Sequence, residues 1–388
     1  MNHFLKRAEE LKDSLLNDRH YLHQHPEVGN DLPETTKYVM QRLTEIGLEP
    51  KEICKGGIVA LIEGKKPGKT YMLRADMDAL PMPEVNDLPF NAKSCNAHNC
   101  GHDMHTAMLL AAAQMLKEKE DELEGTVKLM FQPAEELFQG SPAMIEAGVL
   151  ENPHVDAASA MHVMLDWDAP AYGCRPGYMT SSCDGFKITV NGKGCHGAMP
   201  DQGIDPINVG IHIYQAFQNL IARETGPKQT ACLTVGQFAA GETPNIIPAT
   251  CVLQGTMRTY DQALREKLVK RMHEIVDAAA AMFGAEVNYE VLSSVPSCYT
   301  NPEMLAEVQG YLKDLGEDLC KDNGYMVTPS DDIAFISEKV PTTYLMLGAR
   351  VEGNPFPHHN PRVLFNEDSM TLGAAMHAQC AFEWLKNH

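Results

Sequence analysis

The segment Tyr71-Met72-Leu73-Arg74-Ala75-Asp76-Met77-Asp78-Ala79-Leu80-Pro81 begins as an apolar run of strand length and ends in two carboxylates and a proline. A run this short, bounded by turn residues, has the length of a strand. The next periodic stretch, Met104–Lys117, repeats its apolar residues at intervals of three and four, as a helix does. Val127–Phe131 returns to strand character and again gives way to carboxylates, Glu135 and Glu136. Strand, helix and strand in that order form a β-α-β unit, and such units build a largely parallel sheet. In these sheets the chemistry collects outside the carboxyl ends of the strands. Both acidic pairs lie there.

On the amino-terminal side, residues 4–23 and 34–47 read as helices parted by His25-Pro26-Glu27-Val28-Gly29, and Gly57–Ile62 reads as a strand. On the other side Ala157–Met161 adds one more. Between about 183 and 293 the rhythm changes to strand Phe186–Val190, helix Pro206–Arg223, strands Cys232–Phe238 and Cys251–Thr256, helix Gln262–Phe283 and strand Val287–Leu292. That β-α-β-β-α-β order predicts a ferredoxin-like module. Its entrance, Gly192 to Pro206, is rich in Gly, Pro and Asp, as a functional rim would be. The α/β pattern then resumes with a helix over 302–315, a strand at Thr343–Leu347 and a helix over 367–386. The expected architecture is α/β: a catalytic domain with a mostly parallel central sheet, residues 1–181 and 294–388. Inserted into it is a ferredoxin-like domain, residues 182–293, suited to dimerisation or to acting as a lid.

A chain of 388 residues exceeds what one hydrophobic core usually serves. Its 44% hydrophobic and 22% charged residues are those of an ordinary soluble protein. No apolar run approaches the roughly 20 residues that cross a bilayer. The first twenty residues mix charges of both signs at helical spacing, unlike a secretory leader. A net charge of −20 argues against nucleic acid or an anionic membrane as partner. Eleven cysteines, an odd number without paired spacing, fit reduced thiols and a cytoplasmic location.

Cys100-Gly101-His102-Asp103-Met104-His105 brings thiol, imidazole and carboxylate within six residues, just ahead of the helical pattern. A helix N-terminus there would favour the thiolate, the form that binds metal. The alternative is a capped helix start, with Asp103 as the cap. Adjacent glutamates in Gln132-Pro133-Ala134-Glu135-Glu136 can point different ways outside regular structure, one binding metal while the other stays free as a base. His162 ends the strand Ala157–Met161, and the pair His358-His359 precedes Asn360-Pro361. Alone, each motif has an ordinary structural reading as a turn, a cap or a solvated helix start. Their joint placement at strand ends points to metal. A mixed Cys, His and Glu set suits zinc first, then manganese, cobalt or nickel.

Taken together, Arg74–Pro81, Cys100–Ala107 and Gln132–Glu136 resemble the aminoacylase and hippurate hydrolase branch of the two-metal peptidases and amidohydrolases. That branch also holds auxin-conjugate hydrolases and N-acetyl-diaminopimelate deacetylases. The resemblance covers almost the whole chain. It implies two divalent metal ions per subunit, with Cys100 bridging or joining them and His102, Glu136, His162 and His359 as the other ligands. His359 is favoured over His358 because His359-Asn360-Pro361 matches the family's His-x-Pro. Glu135 would be the general base, and Asp78 would orient or polarise a ligating imidazole. Asp76 and His105 would be supporting groups.

Gly194-Cys195-His196-Gly197-Ala198-Met199-Pro200 resembles the family's Gly-Gly-His-Gly-Ala-x-Pro, which implies that His196 reaches a site across a dimer interface and stabilises an oxyanion. Asn245, in Asn-Ile-Ile-Pro, and Arg258, in Gly-Thr-Met-Arg-Thr, would hold the substrate, Arg258 by clamping its carboxylate. Asn245 can also be read as a turn cap, and Arg258 as the partner of an acidic neighbour. The activity implied is hydrolysis of the amide bond of N-acyl amino acids by a homodimer formed through the inserted domain. A dipeptidase or carboxypeptidase-like metallopeptidase is the alternative, and a non-catalytic metal-binding protein on the same fold is a remoter one. The chain departs from the family's pattern at Cys195, where glycine is usual. It departs again at Ser330-Asp331-Asp332-Ile333, where Gly-Ser-Glu-Asp-Phe is expected, and at Asn99, where alanine precedes the cysteine.

Overall fold

The computed structural model describes residues 2–388. The chain forms two compact units: one of residues up to 179 with 298–326 and 331–388, the other of 180–297 with 327–330.

The first unit is built on an eight-stranded sheet. Its spatial order is Lys51–Cys54, Gly57–Glu63, Glu124–Gln132, Lys66–Asp76, Ala157–Met164, Thr342–Gly348, Tyr172–Gly173 and Cys320–Asp322. The four central strands, Glu124–Gln132 to Thr342–Gly348, run parallel. Antiparallel pairings flank them. Thr342–Gly348 is buried along its whole length, and Lys66–Asp76 is buried from Thr70 onward. Continuous burial is what parallel strands covered on both faces require.

The helix His102–Lys117 is buried on nearly every side, packing against the helix Ser369–Asn387 and the strand Lys66–Asp76. Leu73, Met108, Phe131, Leu345 and Met376 lie in the resulting core.

Two elements differ from expectation. The single helix expected over 4–23 is two, His3–Glu10 and Lys12–Gln24, interrupted at Leu11. Apolar spacing continues through the break, so periodicity alone does not reveal it. The helix expected from Met104 begins two residues earlier, at His102, because Gly101 takes the preceding position at φ 99°. Any side chain there would strain the backbone, and a Cβ would lie 2.4 Å from Val163 Cγ2. Glycine therefore lets the chain turn sharply from Cys100 into the helix.

The second unit holds a four-stranded antiparallel sheet in the order Ala231–Ala240, Thr250–Thr259, Cys183–Asn191 and Glu286–Val295. Helices Pro206–Glu224 and Gln262–Phe283 pack on it through Phe186, Val209, Phe217, Leu253, Leu268 and Met272. Each helix starts on an aspartate cap. Asp205 accepts the Ile207 N–H at 2.9 Å, and Asp261 accepts the Leu264 N–H at 2.7 Å.

Candidate metal centre

The proposed ligands of the first unit lie at or beyond the carboxyl ends of central strands, Cys100 in the loop that leads from Lys66–Asp76 into the helix His102–Lys117. Asp76 ends Lys66–Asp76, Gln132 ends Glu124–Gln132, and His162 lies near the end of Ala157–Met164. His359 follows Thr342–Gly348, and His102 opens the helix after Gly101.

Three imidazoles converge on one region. His162 Nδ1 donates to the Val163 carbonyl at 2.7 Å, and His102 Nδ1 donates to the Asp78 carbonyl at 2.9 Å. With Nδ1 engaged on each ring, Nε2 is the atom left to ligate a cation. His162 Nε2 lies 3.5 Å from Cys100 Sγ, and His359 Nε2 lies 3.4 Å from the same sulfur and 3.3 Å from Glu136 Oε1. Two ligands around one tetrahedral zinc, with Zn–S about 2.3 Å and Zn–N about 2.0–2.1 Å, stand roughly 3.4–3.6 Å apart. The ligating atoms of Cys100, His102 and His162 form one cluster, and those of Cys100, Glu136 and His359 a second. Cys100 belongs to both.

His102 Nε2 is buried without a hydrogen-bond partner. A native fold rarely leaves such atoms orphaned. Six carboxylates (Asp76, Asp78, Glu135, Glu136, Asp331 and Asp332) crowd this end of the sheet with Arg74 as the buried guanidinium among them. The donor set, its spacing and its excess of negative charge all fit two divalent cations.

His358 points elsewhere, its Nε2 donating to the Val163 carbonyl at 2.9 Å. His359 adopts φ 60°, unusual for a residue with a side chain, and its N–H is held by the Asn99 carbonyl at 2.9 Å. Strain of this kind, about 1 kcal/mol or more, persists where neighbours fix it and clusters at functional sites. His105 has the right chemistry for a ligand but both nitrogens are spent. Nε2 accepts the Val163 N–H at 2.9 Å, so Nδ1 carries the proton and donates to Asp76 Oδ1 at 2.5 Å.

The turn carrying Glu135 and Glu136 is contorted, with Ala134 at φ 51° and Phe138 at φ 55°, and it brings both carboxylates to 3.9 Å from His102 Nε2. Gly140 packs beneath it, where a Cβ would lie 1.7 Å from the Pro133 carbonyl oxygen. Asp78 ties the two glutamates down, one carboxylate oxygen accepting the Glu135 N–H at 3.0 Å and the other the Glu136 N–H at 3.2 Å. Toward His102 it acts mainly through its backbone carbonyl, its Oδ1 standing 3.4 Å from Nδ1.

The electrostatics separate the glutamates. Burial, then the charges of Asp331, Glu136 and Asp332, raise Glu135 well above the usual carboxylate range. Burial acts on Glu136 too, but the hydrogen bond from His359 and the charge of His102 outweigh it and lower Glu136. Glu135's carboxylate has no hydrogen bond among the described residues and stands 3.9 Å from His102 Nε2. The helix dipole does not decide the state of Cys100. Burial, with Glu136 and Glu135 nearby, raises its thiol well above the ordinary range, so ligation by Cys100 would require a cation to displace that proton. Burial disfavours charge on His102, yet Asp76 and Asp78 prevail and raise it to about 10.

The frame around Arg74 is absent from the motif reading. Arg74, fully buried, pairs with Asp76 at 2.7 Å, Asp331 at 3.0 Å and Asp332 at 3.1 Å, and donates to Gln132 at 2.8 Å. Gln132 in turn donates to Asp332 at 2.6 Å, and Asp332 accepts the Ser141 N–H at 2.9 Å. The departure at Asp331-Asp332 therefore builds the floor under Glu135. The cue was legible: a charged residue inside a strand of continuous apolar character must bring its partners with it. Asp103 is not a cap; its carboxylate accepts from His23 at 2.8 Å and Arg19 at 3.2 Å.

In the second unit, His196 and Asn245 are neighbours. His196 pairs with Ile246 across a two-stranded ladder, and the Gly197 N–H donates to the Asn245 carbonyl at 2.8 Å. His196 Nδ1 accepts the Ala198 N–H at 3.1 Å, which puts the proton on Nε2, and the side chain is exposed. Arg258 has hydroxyl partners, Ser330 at 3.1 Å and Ser181 at 3.5 Å, and no ion pair among the described residues. Cys195 pairs with Ile247 on the ladder that carries His196.

Residues 72–383 match the model of the peptidase family M20/M25/M40. Thermostable carboxypeptidase 1 of Saccharolobus solfataricus is 35% identical over 97% of each chain. An N-acetyl-L-cysteine deacetylase of Bacillus subtilis is also 35% identical, over 90% of this chain and 83% of its own. The solved structure of the Bacillus subtilis YXEP protein, described as a dinuclear metal-binding peptidase, superposes with a TM-score of 0.84. It is 30% identical, covering 98% of this chain and all of the other.

Proposed function

Because the chain belongs to the peptidase family M20/M25/M40, we propose that this metal-dependent amidohydrolase cleaves the amide bond of small N-acyl amino acids, with Glu135 as its general base. The convergence of His102, His162 and His359 on Cys100, beside a glutamate left free of hydrogen bonds, carries the reading. Cys100 would be shared between two ions, His102 and His162 completing one donor set and Glu136 and His359 the other. Zinc is the first candidate and manganese, cobalt or nickel the next, because the donors are mixed in softness. Bound divalent ions would supply Lewis acidity, polarising the amide carbonyl and making water a better nucleophile.

The chain's own residues do the rest. Glu135 takes the proton of the attacking water and passes it to the leaving amine nitrogen, a transfer worth about 10²–10⁴ in rate. Asp78 holds the Glu135 and Glu136 backbones, Asp76 fixes His105, and Arg74 holds Asp331 and Asp332 in place. Arg258, facing hydroxyls alone, is available for a substrate carboxylate. His196 presents an exposed Nε2–H suited to an oxyanion, and Asn245 adjoins it. We read the second unit as a ferredoxin-like module through which a homodimer forms. Exposed Ile211, Tyr214 and Phe238, on its first helix and edge strand, support that reading, as would His196 serving a second subunit's site.

A carboxypeptidase-type reading rests on the name of the Saccharolobus relative. Both reactions break an amide whose leaving amine carries an α-carboxylate, and they differ in the acyl side, a simple acyl group in one and an aminoacyl or peptidyl group in the other. Metal-stripped protein resupplied with each divalent metal should release free amino acid from acetyl or benzoyl amino acids, with activity lost in Cys100→Ala. Cleavage confined to dipeptides would move the assignment to a peptidase, and inactivity with every metal despite tight binding would overturn catalysis altogether.

A further inference from the structure

Away from the metal cluster, at the far edge of the eight-stranded sheet, two cysteines meet. The strand Cys320–Asp322 pairs in parallel with Tyr172–Gly173, and the Cys174 N–H donates to the Asp322 carbonyl at 2.9 Å. That pairing brings Cys174 Sγ to 3.7 Å from Cys320 Sγ. The Gln309 amide reaches Cys174 Sγ at 3.1 Å and Cys320 Sγ at 3.8 Å, and both thiols lie within 3.3 Å of Asn323 Oδ1. Cys174 is fully buried while Cys320 is partly open to solvent. The edge strand is only three residues long, and bond formation would bring the sulfurs from 3.7 Å to about 2.05 Å.

We infer that Cys174 and Cys320 form a reversible disulfide, with Cys320 the thiol that meets the oxidant and Cys174 the thiol that resolves it. The hydrogen bond from Cys174 holds the Cys320 thiol down at about 7, against burial, whereas Cys174 is itself pushed up. The thiolate is the reactive form, and exposure and ionisation together select Cys320. With a hydroperoxide as oxidant, Cys320 sulfur attacks one oxygen, the O–O bond breaks, and hydroxide leaves to be protonated to water. Cys320 is now a sulfenic acid. Cys174 sulfur then attacks Cys320 sulfur; the S–S bond forms as the S–O bond breaks, and the Cys174 proton leaves with that oxygen as water. Two thiols are oxidised to one disulfide, and one hydroperoxide is reduced to two waters when it is hydrogen peroxide.

The test uses the full chain, loaded with metal so that Cys100 is protected, and treated with graded hydrogen peroxide before acid quenching, alkylation and peptide mapping. The expected product joins the Cys174 and Cys320 peptides with loss of two hydrogens and is reversed by dithiothreitol. Cys174→Ser should stop at sulfenic acid on Cys320, trapped by dimedone. Cys320→Ser should leave Cys174 unoxidised at the same dose. Oxidation of the exposed Cys95 and Cys232 before any 174–320 link forms would overturn the inference. So would Cys174→Ser giving no dimedone adduct at Cys320 while its reduced form keeps wild-type activity and circular dichroism.

Discussion

Replacing Asp78 by asparagine asks whether a side chain that ligates nothing sets the metal affinity. Its carboxylate, 1% exposed, accepts the backbone N–H of Glu135 at 3.0 Å and of Glu136 at 3.2 Å, one on each oxygen. Hydrogen bonds to a charged group are worth about 1.5–3 kcal/mol each, and a buried donor left unpaired costs about 1–3 kcal/mol. Asparagine keeps one acceptor and turns an NH₂ toward the other N–H. Whichever way the amide lies, one glutamate loses its anchor. Burial raises the Asp78 carboxyl above its usual range, so neutralising it recovers part of the loss. A net cost near 2 kcal/mol falls on the loop that presents Glu136.

At about 1.4 kcal/mol per decade, that cost corresponds to roughly a 30-fold weaker metal affinity, inside the 10–100-fold range typical of groups that orient ligands. Chelator competition measures the affinity. Steady-state kinetics at rising metal shows whether kcat recovers once the ions are saturating. A displaced Glu135 should leave kcat depressed even then, because an error near 1 Å at a reacting group can cost about 10²-fold. Affinity within twofold of wild type together with an unchanged kcat would refute the assignment of Asp78 as the anchor of this loop.

Glu135→Gln should lower kcat by about 10²–10⁴ while metal analysis still finds two ions per chain; loss of metal instead would make Glu135 a ligand. Arg258→Ala should raise KM and lower kcat/KM by roughly 10–100-fold on N-acyl amino acids, the worth of a charge-assisted pair of about 1.5–3 kcal/mol. The matching amides lacking the carboxylate should not distinguish it from wild type. His23 tests stability against pH. Burial opposes its charge, but hydrogen bonds to Asp103 and Glu84 outweigh that and raise it from 6.5 to about 9. A folded value above the unfolded one gives stability that is full below pH ~6.5 and lost as pH rises through ~9, on the order of 3 kcal/mol in total. Chemical denaturation between those limits should show the decline, and His23→Gln should flatten it.

The central strands were readable because burial on both faces writes the same signal over five or more residues, as in Tyr71–Ala75 and Val127–Phe131. The candidate ligands could be proposed from sequence because the carboxyl ends of those strands are where a parallel sheet gathers its chemistry. What escaped was set by single atoms or by distance along the chain. The start of the helix at His102 depends on a glycine φ, and the break at Leu11 leaves the apolar phase intact. The two-residue strands Tyr172–Gly173 and Cys195–His196 are too short to carry any period. His105 and His359 are both histidines near metal-type neighbours. Only the hydrogen bonds of His105, to Asp76 and from Val163, remove it from the ligand set. Arg74 meets Asp331 and Asp332 across more than 250 positions, beyond any local pattern.

The same crowding of carboxylates explains two features that otherwise pull apart. A thiol must lose its proton to ligate, and Glu135 must be ionised to act as a base, yet both are raised well above their ordinary ranges. Glu136 and Glu135 are among the causes for Cys100, and Glu136, Asp331 and Asp332 among those for Glu135. Arg74 answers only part of that negative charge, since its three ion pairs are with Asp76, Asp331 and Asp332. Cationic charge placed among Cys100, Glu136 and the three imidazoles acts on both groups at once, because opposite charge within about 4–6 Å favours the ionised form. Ligand deprotonation and the readiness of the base are therefore one electrostatic event. With Glu135 as the proposed base, Asp331 and Asp332 would tie its ionisation to the filling of the site.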